Sequence, residues 1–177
     1  TYVNGERWGL WRVAAGEDVA VVSDAGTPLI SDPGYPLVAA ARAAGFRVVP
    51  IPGPNAAICA ISAAGLPSDR FLFLGFPPRT AGKRREEFAA LARETGTLVF
   101  YEAGNRVLET LADLAQVLGD ERRAVVAREL TKRFETFLAG TLADLPPRIA
   151  GDPDQQKGEF VLLVAGCRDR DVVAADG

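Results

Sequence analysis

Histidine and methionine are absent from the 177 residues, and cysteine occurs only twice, as Cys59 and Cys167. Without histidine the commonest general base and metal ligand is gone, so any catalysis rests on carboxylates, lysine, tyrosine, hydroxyls or backbone groups. Two cysteines argue against a disulfide framework and against a cysteine-built metal site. A reducing, cytoplasmic setting and no metal are therefore the expectation. The lack of methionine means that these residues carry no initiator, which leads us to expect a longer parent chain. No apolar run approaches the length needed to cross a bilayer, so no membrane partner is expected. Net charge is only −3, which gives no general affinity for polyanions.

What is present is enough apolar content, 48%, for a real core in one ordinary domain or two small ones. Asp18 to Ser23 reads as a short buried strand, Pro36 to Ala44 as a helix stopped by Gly45, and Arg47 to Ile51 as a second strand. Asn55 suits the N-cap of a helix over Ala56 to Ala64, closed by Gly65. This strand–helix alternation predicts an α/β layer with a parallel sheet. After Leu66 to Arg70 the pattern restarts, with strands at Phe71–Gly75, Thr97–Tyr101, Ala124–Arg128, Phe134–Leu138 and Glu159–Val164. A helix is predicted over Arg84–Arg93, and Asn105 is expected to cap another that runs through Leu118 to Gly119. Several of these strands follow one another without a helix, so the second half should be a mixed sheet. The fold class is thus α/β, with residues 1–68 as one domain (its opening strand missing), residues 69–177 as another, and a cleft between them. Trp8 and Trp11 suggest a helical face packed on a core. The tail beyond Gly166 reads as loose.

Two strand-to-loop exits carry the chemistry. The first, Ser23-Asp24-Ala25-Gly26-Thr27-Pro28 through Asp32-Pro33-Gly34, crowds hydroxyls, carboxylates and glycines at the carboxyl end of a strand. The second, Pro52-Gly53-Pro54-Asn55-Ala56, leads into a helix whose amides point out of its start. Two such exits converging on one crevice are what a parallel sheet offers a ligand. A well-made turn with Ser31 or Asp32 as a helix cap is the plainer alternative. Arg79, Lys83, Arg84 and Arg85 cluster around a Pro/Gly-containing loop, and Lys132-Arg133 forms a smaller patch. The plainer reading there is a solvated loop and the first turn of a helix; cations at a helix start oppose the macrodipole, which lends some support to a phosphate-facing role instead.

The blocks Ser23 to Tyr35, Pro50 to Ala57, Ser62 to Phe71, Gly75-Phe76-Pro77-Pro78-Arg79, Leu98 to Glu102, Ala127 to Lys132 and Lys157-Gly158-Glu159 resemble, in order, the ribosomal RNA small-subunit methyltransferase I family. That family lies within the tetrapyrrole methylase superfamily. The resemblance implies two α/β domains around a cleft, S-adenosyl-L-methionine as cofactor, small-subunit ribosomal RNA as partner and a homodimer. The reaction it implies is 2′-O-methylation of a cytidine ribose. Carried over by position, Asp24, Ala25, Gly26 and Thr27 would meet the methionine part and ribose of the cofactor. Asn55 and Ala56 would form the next contacting loop, and Tyr101, Ala127 and Ala165 would lie near the adenosine. Arg79, Lys83, Arg84, Arg85 and Lys132 would then hold RNA, while Arg128-Glu129 competes as a domain-interface pair. Glu102, Glu129 and Asp32 are carboxylates able to take up a proton, although a structural ion pair with Arg106 or Arg128 is the more expected fate of each glutamate.

Two departures matter. Where the family has Ser-Pro-His-Arg after Tyr-Glu, this chain has Ala103-Gly104-Asn105-Arg106. The family's opening strand, glycine loop and acidic segment are not found before Asp18. A small-ring (corrin or tetrapyrrole) methyltransferase, or a non-catalytic module binding an adenosyl ligand, therefore remain alternatives.

Overall fold

A computed structural model describes residues 6–168, with side chains from Gly9 onward. Two compact units divide at Asn55/Ala56, ahead of the junction that the pattern suggests at Leu66–Arg70.

In the first unit, helix α1 (Glu6–Ala14) packs on helix α2 (Tyr35–Ala43). Their approach is close: a Cβ on Gly9 would stand 3.0 Å from Leu37 Cδ1. The expected parallel sheet is not formed here. Residues 18–23 and 47–51 have no regular secondary structure, and among the described residues neither joins a strand ladder. An apolar run specifies an extended chain, yet a strand exists only where its N–H and C=O groups meet a partner and its side chains are covered. Val22, Val49 and Ile51 are instead exposed. Trp11 also departs from expectation, being 68% exposed, and the side chain of Trp8 lies outside the described residues.

The second unit opens with helix α3 (Ala56–Ala63) and continues β1 (Phe71–Gly75), α4 (Ala81–Ala90), β2 (Thr97–Ala103), α5 (Val107–Leu118), β3 (Arg123–Arg128), β4 (Thr136–Thr141), α6 (Leu145–Ala150) and β5 (Glu159–Val164). The strands form one sheet in the order β1-β2-β5-β3-β4. The β1–β2 pair is parallel, bridged by α4, and the remaining pairs are antiparallel. The sheet is mixed, as expected, with β4 following β3 directly and pairing antiparallel to it. Helix α6 and a 3-10 turn at Pro153–Gln156 were not legible. In α6 a Pro-Pro pair fills the first turn, the one place where a helix tolerates missing N–H groups. Asn105 is not a cap; it sits inside a 3-10 turn, Gly104–Arg106, that leads into α5.

Period-two alternation divides the core between the two sheet faces. Leu98, Phe100, Val126 and Leu162 face α4, α5 and α6, where Phe88, Leu111, Leu114, Leu145 and Ile149 are fully buried. Val99, Val125, Ala127, Val161 and Leu163 face α3, through Ala57, Ala60 and Ile61. Each buried leucine or phenylalanine contributes about 1.5–3 kcal/mol.

The pairing directions also decide what meets at the sheet ends. The C-terminal ends of β1, β2 and β3 and the N-terminal ends of β4 and β5 all lie at one end. The segments Gly75–Arg79, Tyr101–Arg106, Ala127–Lys132 and Lys157–Glu159, scattered along the sequence, are thereby gathered on one rim.

Candidate functional site

In the first unit the Ser23–Gly34 loop is tied to the second exit. Thr27 donates its amide N–H to the Pro54 carbonyl at 2.9 Å and its hydroxyl to the same oxygen at 3.0 Å. Both lone pairs of one carbonyl are thus occupied by one residue, which fixes the Asp24–Thr27 corner beside Pro54-Asn55. Gly26 is required at this approach: its φ is +76°, and a Cβ there would stand 3.3 Å from the Pro54 oxygen. Ser23 accepts the Ala25 N–H at 3.3 Å, and its hydroxyl faces the Asp32 carboxylate and the Ala25 carbonyl. Leu29 and Ser31 hold φ of 71° and 59°, a left-handed conformation unusual for L side chains. Asp24, Ala25 and Gly26 are exposed at the tip of this braced loop.

In the second unit Ala56 is the first residue of α3, and the next amide, of Ala57, donates to the Tyr101 hydroxyl at 3.3 Å. One otherwise orphaned helix-terminal N–H is satisfied in this way. The Tyr101 ring sits edge-to-face between Phe73 (4.9 Å) and Phe76 (5.6 Å). Ala127 lies level with Tyr101, since both pair with Val161 of the strand between them. Ala165 is not brought to that group. It follows β5 at the opposite end of the sheet, about 13 Å along the strand from Val161.

The basic cluster separates. Arg84 is 2% exposed, and its guanidinium grips Asp113 Oδ2 from Nε at 2.6 Å and Nη2 at 2.5 Å. It therefore faces the core, not a polyanion, because an amphipathic helix turns its fourth residue inward whatever that residue's charge. Arg85 completes the pair with Asp113 Oδ1 at 3.0 Å. Lys132 bridges Glu129 (2.9 Å) and Glu159 (2.8 Å), so its charge is locally answered. Those contacts raise the Lys132 ammonium above its ordinary range, Glu159 first and Glu129 next. Glu129 is held below the usual carboxylate range, chiefly by the Glu159 backbone N–H and then by Lys132. Arg79 and Lys83 are exposed, with no carboxylate at ion-pair distance among the described residues.

Glu102 is buried and fully engaged. It accepts the Thr110 hydroxyl at 2.6 Å and the Ala103 N–H at 2.8 Å, and pairs with Arg106 at 3.3 Å. The ion-pair fate of this glutamate is the one realised. Sequence reasoning missed what Arg106 does next: its Nη2 donates to both the Pro77 and Pro78 carbonyls at 3.0 Å. Nor did it anticipate that Gly104 is a packing requirement. A Cβ there would overlap the Gln156 carbonyl and stand 3.1 Å from Lys157 Cα. The signal available was the unusual Ala103-Gly104-Asn105 itself, a glycine where a close backbone approach is needed. Among the described residues no cluster of three His, Cys, Asp or Glu side chains could hold a metal ion. Among the described residues no helix is long and apolar enough to cross a membrane.

Comparison with known proteins follows this geometry. The family model "Tetrapyrrole (Corrin/Porphyrin) Methylases" matches residues 3–146. A Xylella fastidiosa protein named Ribosomal RNA small subunit methyltransferase I is 59% identical over 160 residues, covering 90% of this chain and 59% of its own length. The Pseudomonas aeruginosa protein of that name is 59% identical over 155 residues, covering 88% of this chain and 55% of its own length. The chain thus spans little more than half the length of these relatives. Among solved structures, the methyltransferase CobJ superposes with a TM-score of 0.65 at 23% identity, over 89% of this chain and 68% of that one. A uroporphyrin-III C-methyltransferase from Thermus thermophilus, complexed with S-adenosyl homocysteine, gives 0.60 at 16% identity over 98% of this chain and 78% of its own. These two structures share the chain's fold, and the chain belongs to the tetrapyrrole (corrin/porphyrin) methylase family.

Proposed function

We propose that this chain forms part of an S-adenosylmethionine-dependent methyltransferase that modifies the 2′-oxygen of a cytidine ribose in small-subunit ribosomal RNA. The observation that carries the reading is the Thr27–Pro54 clamp, found in a chain 59% identical to proteins named for small-subunit RNA methylation. The donor set suits the cofactor. Asp24 offers a carboxylate to an ammonium or a ribose diol, and the Gly26 and Gly53 backbones are bare where side chains would crowd the corner. A Cβ on Gly53 would stand 3.4 Å from Thr27 Oγ1. Tyr101 and Phe73 offer ring edges to an adenine.

When bound, S-adenosylmethionine supplies an electrophilic sulfonium methyl. The chain's own task is then alignment and exclusion of water, which can contribute many orders of magnitude. Thr27 keeps the loop closed, Asp24 to Gly26 and Asn55-Ala56 orient the ligand, and Arg79 and Lys83 attract phosphates. Glu102 and Glu129 brace the rim. The same reading carries a cytoplasmic setting and a homodimer, the latter testable by sedimentation of the full chain.

The test supplies the full chain with methyl-labelled S-adenosylmethionine and unmodified small ribosomal subunits. Label recovered as a ribose-methylated cytidine supports the proposal. Label transferred only to a uroporphyrinogen-type ring overturns it in favour of small-ring chemistry, and calorimetric cofactor binding with no turnover on either overturns it in favour of a binding module.

A further inference from the structure

Two exposed phenylalanines stand on the rim where the sequence blocks converge. Phe76 follows β1 and is 56% exposed; Phe134 precedes β4 and is 61% exposed. Strands β1 and β4 are the two edges of the sheet, so the rings flank a rim about 19 Å wide. A single exposed phenylalanine needs no explanation. Here, however, the backbone beside each ring is clamped by an arginine drawn into the fold. Arg106 holds the Pro77 and Pro78 carbonyls at 3.0 Å. Buried Arg128 donates to the Phe134 carbonyl itself at 3.0 Å and to the Lys157 carbonyl at 2.7 Å. The second turn is further fixed by Glu129 and Thr131 at φ of 51° and 63°, and by the Thr131 N–H on Glu135 at 2.6 Å.

Desolvating a guanidinium is costly, and here hydrogen bonds to the loop carbonyls offset part of that cost and hold both loops in place. What these loops present is an aromatic face with a cation beside it. Arg133 lies over the Phe134 ring at 5.4 Å, and exposed Arg79 follows Phe76 by three residues. Neither arginine has a carboxylate at ion-pair distance among the described residues. Of the rim's other cations, Lys132 is answered by Glu129 and Glu159, Lys157 by Asp154 and Arg106 by Glu102, while Arg128 is spent on the Lys157 and Phe134 carbonyls. The carboxylates of Glu135 and Asp152 accept backbone N–H groups instead.

We infer that Phe76 and Phe134 are stacking platforms for unpaired bases of a single-stranded RNA segment laid across this rim, with Arg79 and Arg133 on its phosphates. The inference rests on the RNA reading above and deepens it. Unstacked bases offer π-faces to aromatic side chains whatever their sequence, whereas a duplex hides them. Loops already fixed lose little entropy on binding.

The test measures binding of the full chain to a fluorescent single-stranded RNA of about 12 nucleotides, with a duplex of equal length as competitor. Phe76→Ala and Phe134→Ala are each expected to weaken single-strand binding about 5- to 100-fold without changing its salt dependence. Arg79→Ala and Arg133→Ala should instead reduce the slope of log affinity against log salt by roughly one each. Phe134→Trp should retain affinity, and its indole emission should be quenched when RNA binds. Calorimetry with S-adenosylmethionine should give the wild-type affinity for Phe134→Ala, which separates stacking from collapse of the fold. Wild-type protein that binds and methylates RNA, with both alanine variants binding as tightly, would overturn the stacking inference alone. Equal competition by duplex would do the same. Wild-type protein that ignores RNA while binding the cofactor would overturn the RNA reading itself.

Discussion

Asp113 is the residue whose loss should be felt most. It is buried on α5, and its two carboxylate oxygens are divided between Arg84 and Arg85 of α4. Asp113→Ala would leave the Arg84 guanidinium buried with weak company: the Pro78 and Arg79 carbonyls at 3.5 and 3.4 Å, and Glu109 at 3.7 Å. Removing one partner of a buried ion pair costs about 3–5 kcal/mol, because the other charge stays desolvated. For a unit of this size that is a fall of roughly 10–20 °C in the midpoint of thermal unfolding. Replacing both partners by apolar residues, Arg84→Met with Asp113→Leu, removes the stranded charge together with the pair. The double variant should therefore lie within about 1–2 kcal/mol of wild type. Urea denaturation of the full chain, followed by far-ultraviolet circular dichroism, reads both. The reasoning fails if Asp113→Ala costs less than about 1 kcal/mol, or if the double variant is as unstable as the single one.

Three further expectations are independent of that pair. Gly104→Ala drives a Cβ into the Gln156 carbonyl, a backbone obstacle that cannot swing aside, and should destabilise by about 1–3 kcal/mol in the same assay. Thr27→Val keeps the Thr27 N–H on Pro54 and removes the hydroxyl bond. It should cost about 1 kcal/mol and weaken calorimetric binding of S-adenosylmethionine, while unchanged binding would separate the loop from the cofactor. The Glu129–Lys132–Glu159 brace has a defined pH window. Glu129 lies below its ordinary value of 4.5, so its contribution is full above that value and is lost as pH falls through the depressed one. Lys132 lies above its ordinary 10.5, so its contribution is full below 10.5 and lost as pH rises past the elevated value. The stability difference between wild type and Glu129→Gln should accordingly be flat from pH 6 to 9 and shrink below about pH 4. A difference that changes across neutrality would contradict the assignment.

Order along the chain was determined by the sequence itself. The short continuous apolar runs at Phe71–Gly75 and Glu159–Val164 are strands with those bounds, and the 3.6-period stripe of Val107, Leu111, Leu114 and Leu118 is the buried face of α5. Local geometry suffices for such elements, because side-chain direction is set by backbone repeat. Glycine and proline chemistry likewise marked the Asp24–Thr27 and Gly53–Asn55 corners as special before any contact was known.

Pairing was decided only by the tertiary structure. The apolar runs at 18–23 and 47–51 look as strand-like as β5, yet among the described residues they are not laddered, since a strand is made by its neighbour and the neighbour is not written in the run. Charge has the same limitation. Arg79, Lys83, Arg84 and Arg85 are one basic cluster in sequence, but the turn of α4 sends Arg84 to Asp113 while Arg79 and Lys83 stay in solvent. Antiparallel return of β5 between β2 and β3 carries Ala165 away from Tyr101 and brings Gly158 to Gly104 and Glu159 to Glu129. Which end of a sheet a residue reaches depends on strand order and direction, properties of the assembled sheet that no local stretch of chain contains.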